Sequence, residues 1–417
     1  MRLDNAANIY PASLTKHYAS LYRLGVRLRD DVDVPLLNCA LESVSRRIPT
    51  FRCRLQARAF WWWLDPVDTV PQVHSPAPFK AFDFKEYGNL LYRVMADGPN
   101  ITLDVFHALT DGGGGKTFLY TLLAEYCRLR YGTVTQYGGC ILNPEDKPLD
   151  EELQDAFFKE FSGRSGKLEK GECAYHIDRA DLGRDGLENT GITIDSNVLR
   201  EVSRNHGCTV SEFLVAALLH SLQSVHALDR YPFRKNIIKV SLPIDLRAMY
   251  STKTLRNFST YINIGVDIKN KRYSLAGLIK AVNEQKKEGM RKEVLEDKII
   301  ANVELEQSFI VRAIPLFIKK FAIDSICRAH GDKFVSYTLS NLGNLTLPPE
   351  LAEHVDDMEC WLGRQRGTSG AATCASYNGR LHINMTRKIR DNSLESHFVR
   401  LLESEGVPCE VTEKTLA

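Results

Sequence analysis

The chain has 417 residues, of which 44% are hydrophobic and 25% charged, a composition ordinary for a soluble globular enzyme of two domains. A formal net charge of +2 lacks the strongly basic balance of nucleic-acid-binding proteins, so nucleic acid is not an expected partner. No stretch reaches the roughly 18 consecutive apolar residues of a transmembrane helix, and residues 1–5 are polar, with no signal peptide behind them. We therefore expect a cytoplasmic protein.

The 10 cysteines are scattered, and no two form a C-x-x-C pair. This spacing argues against a cysteine zinc site, and we expect no metal. A chain of this length needs no disulfides for stability, so the thiols are interpreted as free cysteines of a reducing compartment.

The first part of the chain alternates strand and helix patterns up to a glycine-rich stretch. The predicted elements are a strand at 18–28, a helix that starts at Asp33 or Pro35 and ends before Pro49, paired strands at 51–55 and 59–64, strands at 90–94 and 101–106, and an amphipathic helix that ends at Gly132. Trp61, Trp62 and Trp63 alternate faces on their strand, and packing against the sheet is favoured over ligand stacking.

Residues 137–172 are polar and rich in glycine, proline and charge, as in a linker. We place the domain boundary there, with one half at 1–170 and the other at 171–417.

The second half again mixes strands and helices. The predicted elements are a strand near 191–194, a buried helix opened by the capping box Thr209–Glu212, a strand at 237–242 that ends at Pro243, a strand at 257–266, mostly helix from 274 to 329, a strand at 333–339 that stops at Ser340, a hairpin at 371–386 with a type I′ turn at Asn378 and Gly379, and a last helix from Asn392. Hairpins among helices in both halves predict an α+β fold of mixed sheets covered by helices, not a parallel doubly wound sheet.

Residues 309–321, FIVRAIPLFIKKF, are both apolar and basic. Such a helix could lie on a membrane surface. Packing in the core, with the lysine and arginine side chains reaching outward, is the favoured interpretation.

The stretch at 104–115, DVFHALTDGGGG, holds the strongest candidate chemistry. Gly115-Lys116-Thr117 matches the end of a phosphate-binding P-loop, but the first glycine of that motif would be Thr110. The strand leading to Asp245 is interrupted by Lys239 and Pro243, which also argues against nucleotide hydrolysis.

His107 follows a predicted strand, and a histidine there is a candidate general base because imidazole titrates near neutral pH. Asp111 could orient it or could pair elsewhere and hold the loop. Taken alone, the H-x-x-x-D-G pattern leaves a catalytic and a purely structural interpretation open.

His107-Ala108-Leu109-Thr110-Asp111-Gly112 resembles the H-x-x-x-D-G signature of the chloramphenicol-acetyltransferase-like superfamily, which includes alcohol acetyltransferases and the condensation domains of peptide synthetases. Further resemblances are spread along the chain, in order: Ile48–Arg52, Thr209–Leu214, Leu242–Arg247 (P-v-D-x-R), Arg256-Asn257-Phe258 (G-N-F/Y) and Ser340–Gly343 (S-N-x-G).

Three departures accompany the resemblance. Phe106 replaces the histidine that many relatives carry just before the catalytic one, and Arg256 replaces a glycine, which leaves the local contact there in doubt. The D-F-G-W-G motif of the plant branch is absent, so a plant-type substrate is not implied.

The resemblance implies two chloramphenicol-acetyltransferase-like halves with an active-site tunnel between them. His107 would act as general base, and the backbone amides of Gly112 and Gly113 would be candidate donors to the oxyanion. Ser340, Asn341 and Asn257 are further candidates for the oxyanion site or the tunnel wall. Asp111 would turn away from the histidine and pair with Arg247, which would clamp the catalytic loop of one half to the other.

These implications predict an acyltransferase that moves an acyl group from a thioester to a small-molecule alcohol or amine. Acyl-CoA is the expected donor and no cofactor is expected to stay bound. A phosphopantetheinyl carrier protein is the close alternative, and a non-catalytic binding member of the same fold is the second. A monomer is expected.

Overall fold

The computed structural model describes residues 1–166, 171–229, 234–326 and 332–417. Its strands are β1 (Leu21–Leu28), β2 (Cys53–Ala57), β3 (Trp62–Pro66), β4 (Val73–His74), β5 (Tyr92–Asp97), β6 (Asn100–Phe106), β7 (Glu188–Asp195), β8 (Ile237–Asp245), β9 (Ser259–Asp267), β10 (Tyr337–Asn344), β11 (Val355–Leu362), β12 (Gly370–Tyr377), β13 (Arg380–Arg387) and β14 (Glu410–Thr415). Its helices are α1 (Ile9–Ser13), α2 (Val34–Arg47), α3 (Gly112–Tyr131), α4 (Asp150–Leu153), α5 (Ala156–Phe161), α6 (Ser196–Asn205), α7 (Val210–Leu228), α8 (Arg247–Tyr250), α9 (Leu275–Gly289), α10 (Lys292–Gln307), α11 (Phe309–Ala313), α12 (Leu316–Ile326), α13 (Pro349–Ala352) and α14 (Ser393–Ser404).

The first sheet has the strand order β11-β1-β6-β5-β4, and α2 and α3 pack against each other beside it. Ile101, Leu103 and Val105 alternate along β6 and are all buried, as the sequence pattern predicts for one apolar face. The side chain of Asp33 accepts a hydrogen bond from the backbone of Leu36 and so caps α2, as predicted. β2 and β3 form a separate antiparallel pair, as predicted.

The second sheet has the order β14-β7-β13-β12-β10-β8-β9 and its own hydrophobic core. β10 runs parallel to both β8 and β12, whereas the other pairs in this sheet are antiparallel. α7 packs against α9 and α14 over the sheet. The predicted α+β class, with mixed sheets covered by helices, is confirmed.

One strand crosses between the two halves. β11 lies near the end of the chain, but it pairs antiparallel with β1 in the first sheet. Gly25 of β1 permits this pairing, because a Cβ there would lie 2.8 Å from the ring of Trp361. Residues 355–362 therefore lie in the first sheet, although the predicted split at residue 170 assigns them to the second half.

Two predicted strand ends are wrong. β8 continues through Lys239 and Pro243 to Asp245. The proline is tolerated because the pairing of β8 with β10 ends at Ser241, so no hydrogen bond is required on that edge of β8 at Pro243. β10 continues beyond Ser340 to Asn344. The segment predicted to be a turn is instead an irregularity of the strand, where the register with β12 skips one residue before Gly343. The φ angle of Gly343 is +72°.

Several local predictions are confirmed. Thr209 and Glu212 form the reciprocal capping box of α7, and Asn378 and Gly379 have the positive φ angles of a type I′ turn. β14 was not predicted: it is an exposed edge strand with no apolar face, so its sequence lacks an alternating pattern.

The favoured core interpretation of residues 309–321 is wrong. Phe309, Phe317 and Phe321 are 84%, 75% and 76% exposed, whereas Lys319 is only 3% exposed. The Lys319 amine donates a hydrogen bond to the carbonyl of Phe60, which provides the polar partner that a buried amine requires on the inner side of α12. The end of the predicted helical stretch, 327–329, lies outside the described residues.

Candidate active site

His107 lies directly after β6, where its backbone N–H donates to the carbonyl of Ser20 at 2.8 Å. The ring is half-buried between two tyrosines. Tyr10 of α1 stacks on it with centroids 4.5 Å apart, and Tyr22 of β1 meets it edge-on at 5.3 Å. The aromatic neighbours hold the imidazole in one orientation while part of it stays accessible.

Hydrogen bonds define which ring nitrogen of His107 carries the proton. Nδ1 lies 3.2 Å from Oδ1 of Asn257, and the Nδ2 of Asn257 donates to the buried carboxyl of Asp4 at 3.4 Å. Because the amide oxygen faces the ring, Nδ1 is the protonated nitrogen and Nε2 keeps its lone pair. Among the described residues, Nε2 forms no hydrogen bond.

Burial lowers the pKa of His107 below the ordinary histidine value, against the opposing influence of the Asp111 carboxylate. The imidazole is therefore neutral at neutral pH, the form a general base requires. Burial also raises the pKa of Asp4 to about 7, against the nearby charge of Arg256.

Asp111 is buried, and among the described residues its carboxylate forms no hydrogen bond with the histidine. Its Oδ1 and Oδ2 accept from Arg247 at 2.8 and 3.1 Å, and Oδ2 also accepts from the backbone N–H of Phe258 at 2.8 Å. Burial alone would raise the pKa of Asp111, but the charge of Arg247 and these hydrogen bonds outweigh it and hold the pKa below its usual value. Asp111 and Arg247 form the predicted pair.

Arg247 connects three parts of the chain at this junction. Its Nε donates to the carbonyl of Thr254 and its Nη2 to that of Arg256, so the loop before β9 wraps around the guanidinium. Asp245 contacts the same guanidinium from a largely exposed position. Through Arg247, the carboxylate of Asp111 in the first half is connected to the loop before β9 in the second half.

The glycine run forms the first turn of α3, and Asp111 is its N-cap. Oδ1 of Asp111 accepts from the N–H groups of Gly113 and Gly114, each at 3.1 Å. The amide of Gly113 is thus occupied, whereas that of Gly112 forms no hydrogen bond among the described residues. Gly112 is the member of the predicted pair whose amide is free to meet a substrate oxygen.

Close packing explains why glycines are needed here. A Cβ on Gly113 would lie 2.6 Å from the Arg247 guanidinium, one on Gly114 would lie 2.4 Å from the carbonyl of Leu255, and one on Gly115 would lie 2.4 Å from the hydroxyl of Tyr22. A Cβ on Gly112 would meet nothing within 4 Å. At three of the four glycines a side chain would clash with a neighbouring group, and only Gly112 borders open space.

Ser340 and Asn341 are not brought to His107 by any described contact. The side chain of Asn341 donates to Ser211 and accepts from the backbone of Gly343, so both ends of its amide are engaged in β10 and α7. Asn257, in contrast, lies directly on the histidine.

Sequence reasoning missed Asp4, Tyr10 and Tyr22 as members of this site. Tyr22 also donates to the carbonyl of Asp111 at 2.9 Å. The first residues of the chain form no long periodic element, so no pattern in them indicates proximity to residue 107 or 257. Arg256, which replaces a glycine of the resembled motif, donates to the carbonyl of Arg2 and anchors the same N-terminal segment.

Within the described ranges, no single helix is long and apolar enough to span a membrane, although one bent pair of helices meets the length and composition test. The same ranges contain no group of three or more histidine, cysteine, aspartate or glutamate residues that could hold a metal ion.

No protein-family model and no curated protein matches the sequence. Solved structures match it over nearly its full length. F. graminearum TRI101 complexed with coenzyme A and deoxynivalenol has a TM-score of 0.66 at 12% identity, and the match covers 98% of this chain and 99% of that one.

Two further solved structures match the chain over nearly its full length. Polyketide synthase associated protein 5 from Mycobacterium tuberculosis has a TM-score of 0.64 at 15% identity, with 96% of each chain covered. The condensation domain from monacolin K polyketide synthase MokA has a TM-score of 0.60 at 14% identity, with 97% of this chain and 96% of that one covered. The chain therefore has the fold of these acetyltransferase-related and condensation-domain structures, at 15% identity or less.

Proposed function

We propose that this protein transfers an acyl group from acyl-CoA to the hydroxyl or amine of a small-molecule acceptor, with His107 as general base. The observation that carries the proposal is the half-buried imidazole whose Nδ1 faces the amide oxygen of Asn257, a partner that favours the tautomer with its lone pair on Nε2. Coenzyme A in the TRI101 structure supports a CoA thioester as the donor.

The reaction follows from this arrangement. Nε2 takes the proton of the acceptor as its oxygen or nitrogen attacks the thioester carbonyl. Collapse of the tetrahedral intermediate breaks the C–S bond, and the proton passes from Nε2 to the departing thiolate. Stacking on Tyr10 keeps the ring in place through both transfers.

The oxyanion of that intermediate requires hydrogen-bond donors placed in advance. The free amide of Gly112 is the best-supported donor, because it begins α3, where the helix dipole also favours negative charge. Ser340 and Asn341 remain candidate tunnel residues, but the Asn341 amide would first have to release Ser211.

A carrier-protein thioester is the alternative donor, since the MokA condensation domain shares the fold. A non-catalytic binding protein is the second alternative. The His107–Asn257 pair and the partly accessible ring favour catalysis over simple binding, because a positioned imidazole with a free nitrogen is the arrangement that proton transfer requires.

Thiol release from acetyl-CoA and palmitoyl-CoA, measured with a panel of alcohols and amines, tests the proposal. We expect His107→Ala to lower the rate by about 10²–10⁴-fold, with an unchanged melting temperature. His220→Ala, at a half-buried histidine of α7 outside the site, is the matched control and should retain full activity. Absence of His107-dependent release with every donor, including a phosphopantetheinylated carrier protein, would favour the binding alternative.

A further inference from the structure

The outer side of α11 and α12 carries an exposed aromatic surface, which we name the phenylalanine face: Phe309, Phe317, Ile318 and Phe321. Phe317 and Phe321 lie one turn apart on α12 and therefore share a side of the helix. Three phenyl rings, each at least three-quarters exposed, are unusual on a surface that meets only water.

The inner side of α12 shows that this orientation is specified by contacts. The amine of Lys319 lies 3.5 Å from the centre of the Trp61 ring and donates to the carbonyl of Phe60 at 2.9 Å. The backbone N–H of Leu316, which is itself buried, donates to Ala59 at 2.8 Å. The β2–β3 hairpin thus holds the one inward lysine of α12, and the phenylalanines are left on the outside.

The charged residues of the segment 309–321 are all basic, and Asp324, the acidic residue of α12, follows that segment. Arg312 and Lys320 are exposed beside the phenylalanines, and residues 309–321 contain no aspartate or glutamate. Phe60, whose backbone carbonyl accepts from Lys319, is a further exposed phenylalanine at 45%, at the tip of the β2–β3 hairpin. Aromatic side chains with basic neighbours match the interface of a bilayer that contains anionic lipids. A second copy of this chain would bring like charges together.

We propose that the phenylalanine face docks this protein onto the surface of an anionic lipid bilayer, with the rings at the headgroup level and Arg312 and Lys320 at the lipid phosphates. The proposal does not depend on the proposed function. It gives that function a location, however, because α12 packs against α1, and Tyr10 of α1 stacks on His107. A docked face would lie one helix away from the candidate base.

Cosedimentation of the full chain with phosphatidylcholine vesicles, with or without phosphatidylglycerol, tests the docking without any need for catalysis. We expect binding to the vesicles that contain phosphatidylglycerol. The double variant Phe317→Ser/Phe321→Ser should bind at least about tenfold more weakly, because two rings leave the interface. Phe158→Ser, at a half-exposed phenylalanine of α5, is the matched control and should bind like wild type.

A second variant examines the charge. Lys320→Gln should weaken binding to anionic vesicles about fivefold, the effect of one basic residue near such a surface. Equal binding of the double variant and wild type, or no preference for phosphatidylglycerol, would overturn the proposal. A wild-type dimer that the double variant converts to a monomer, without vesicle binding, would overturn it in favour of self-association.

Discussion

Two buried cations of this protein are held in opposite ways. Arg247 is paired with the carboxylate of Asp111 and donates to backbone carbonyls at the junction between the halves. Lys319 is more fully enclosed, at 3% exposure against 16% for the Arg247 side chain, and a tryptophan ring and a single carbonyl contact its amine. The first arrangement joins the loop before β9 to the segment that contains His107, whereas the second sets the rotation of α12 about its axis.

The two sets of contacts show which partners each cation requires when it is buried. A buried carboxylate left without its partner is strongly unfavourable, so Asp111 and Arg247 depend on each other. Lys319 leaves no opposite charge behind when it is removed, and burial already lowers its pKa. Asp111→Ala and Lys319→Met break the two arrangements themselves, and Asn257→Ala, intermediate in expected effect, tests the histidine beside the first one.

Asp111→Ala should produce the largest loss. The variant removes the buried carboxylate from Arg247, leaves it only the exposed Asp245 as a charged partner and removes the cap of α3, so we expect about 3–5 kcal/mol of destabilisation together with a loss of activity. Urea denaturation measures the first effect. Asp245→Ala, which removes the exposed partner of the same arginine, should cost under about 1 kcal/mol. Equal stability of Asp111→Ala and wild type would refute the clamp.

Asn257→Ala should lower the plateau rate about tenfold, a part of what a positioned general base contributes, because the Nδ1–H tautomer is no longer held. In wild type, burial lowers the pKa of His107, so activity should decline as pH falls through a value below 6.5. The hydrogen bond that Nδ1 of His107 donates to Asn257 raises that pKa, so its loss should move the decline to still lower pH. An unchanged rate and profile would exclude the positioning role.

Lys319→Met should have the smallest effect, about 1 kcal/mol, because it removes a cation–π contact and one hydrogen bond but strands no charge. Thermal unfolding measures it against Lys320→Met, an exposed neighbour expected to be neutral within about 0.5 kcal/mol. A loss as large as that of Asp111→Ala would show that the two cations are not held differently.

Local signals predicted much of the fold. The capping residues of α2 and α7, the alternation along β6 and the turn at Asn378–Gly379 depend on neighbours within a few residues, which the sequence displays directly. The pairing of β11 with β1 joins segments over 300 residues apart and has no such signal. The continuation of β8 through Pro243 depended on where a neighbouring strand ends, which is again a long-range fact.

The candidate site divides in the same way. The sequence alone determined that His107 follows a strand, that Asp111 precedes a helix and that both belong to an H-x-x-x-D-G pattern, because these are properties of consecutive residues. Only the tertiary structure decided that Asn257 and Asp4 orient the histidine and that Gly112 keeps a free amide. It also decided which side of α12 faces outward. The sequence of this helix is apolar and basic on more than one side, so the pattern is compatible with either rotation. The contacts of Lys319 with a neighbouring carbonyl and a tryptophan ring fix the rotation.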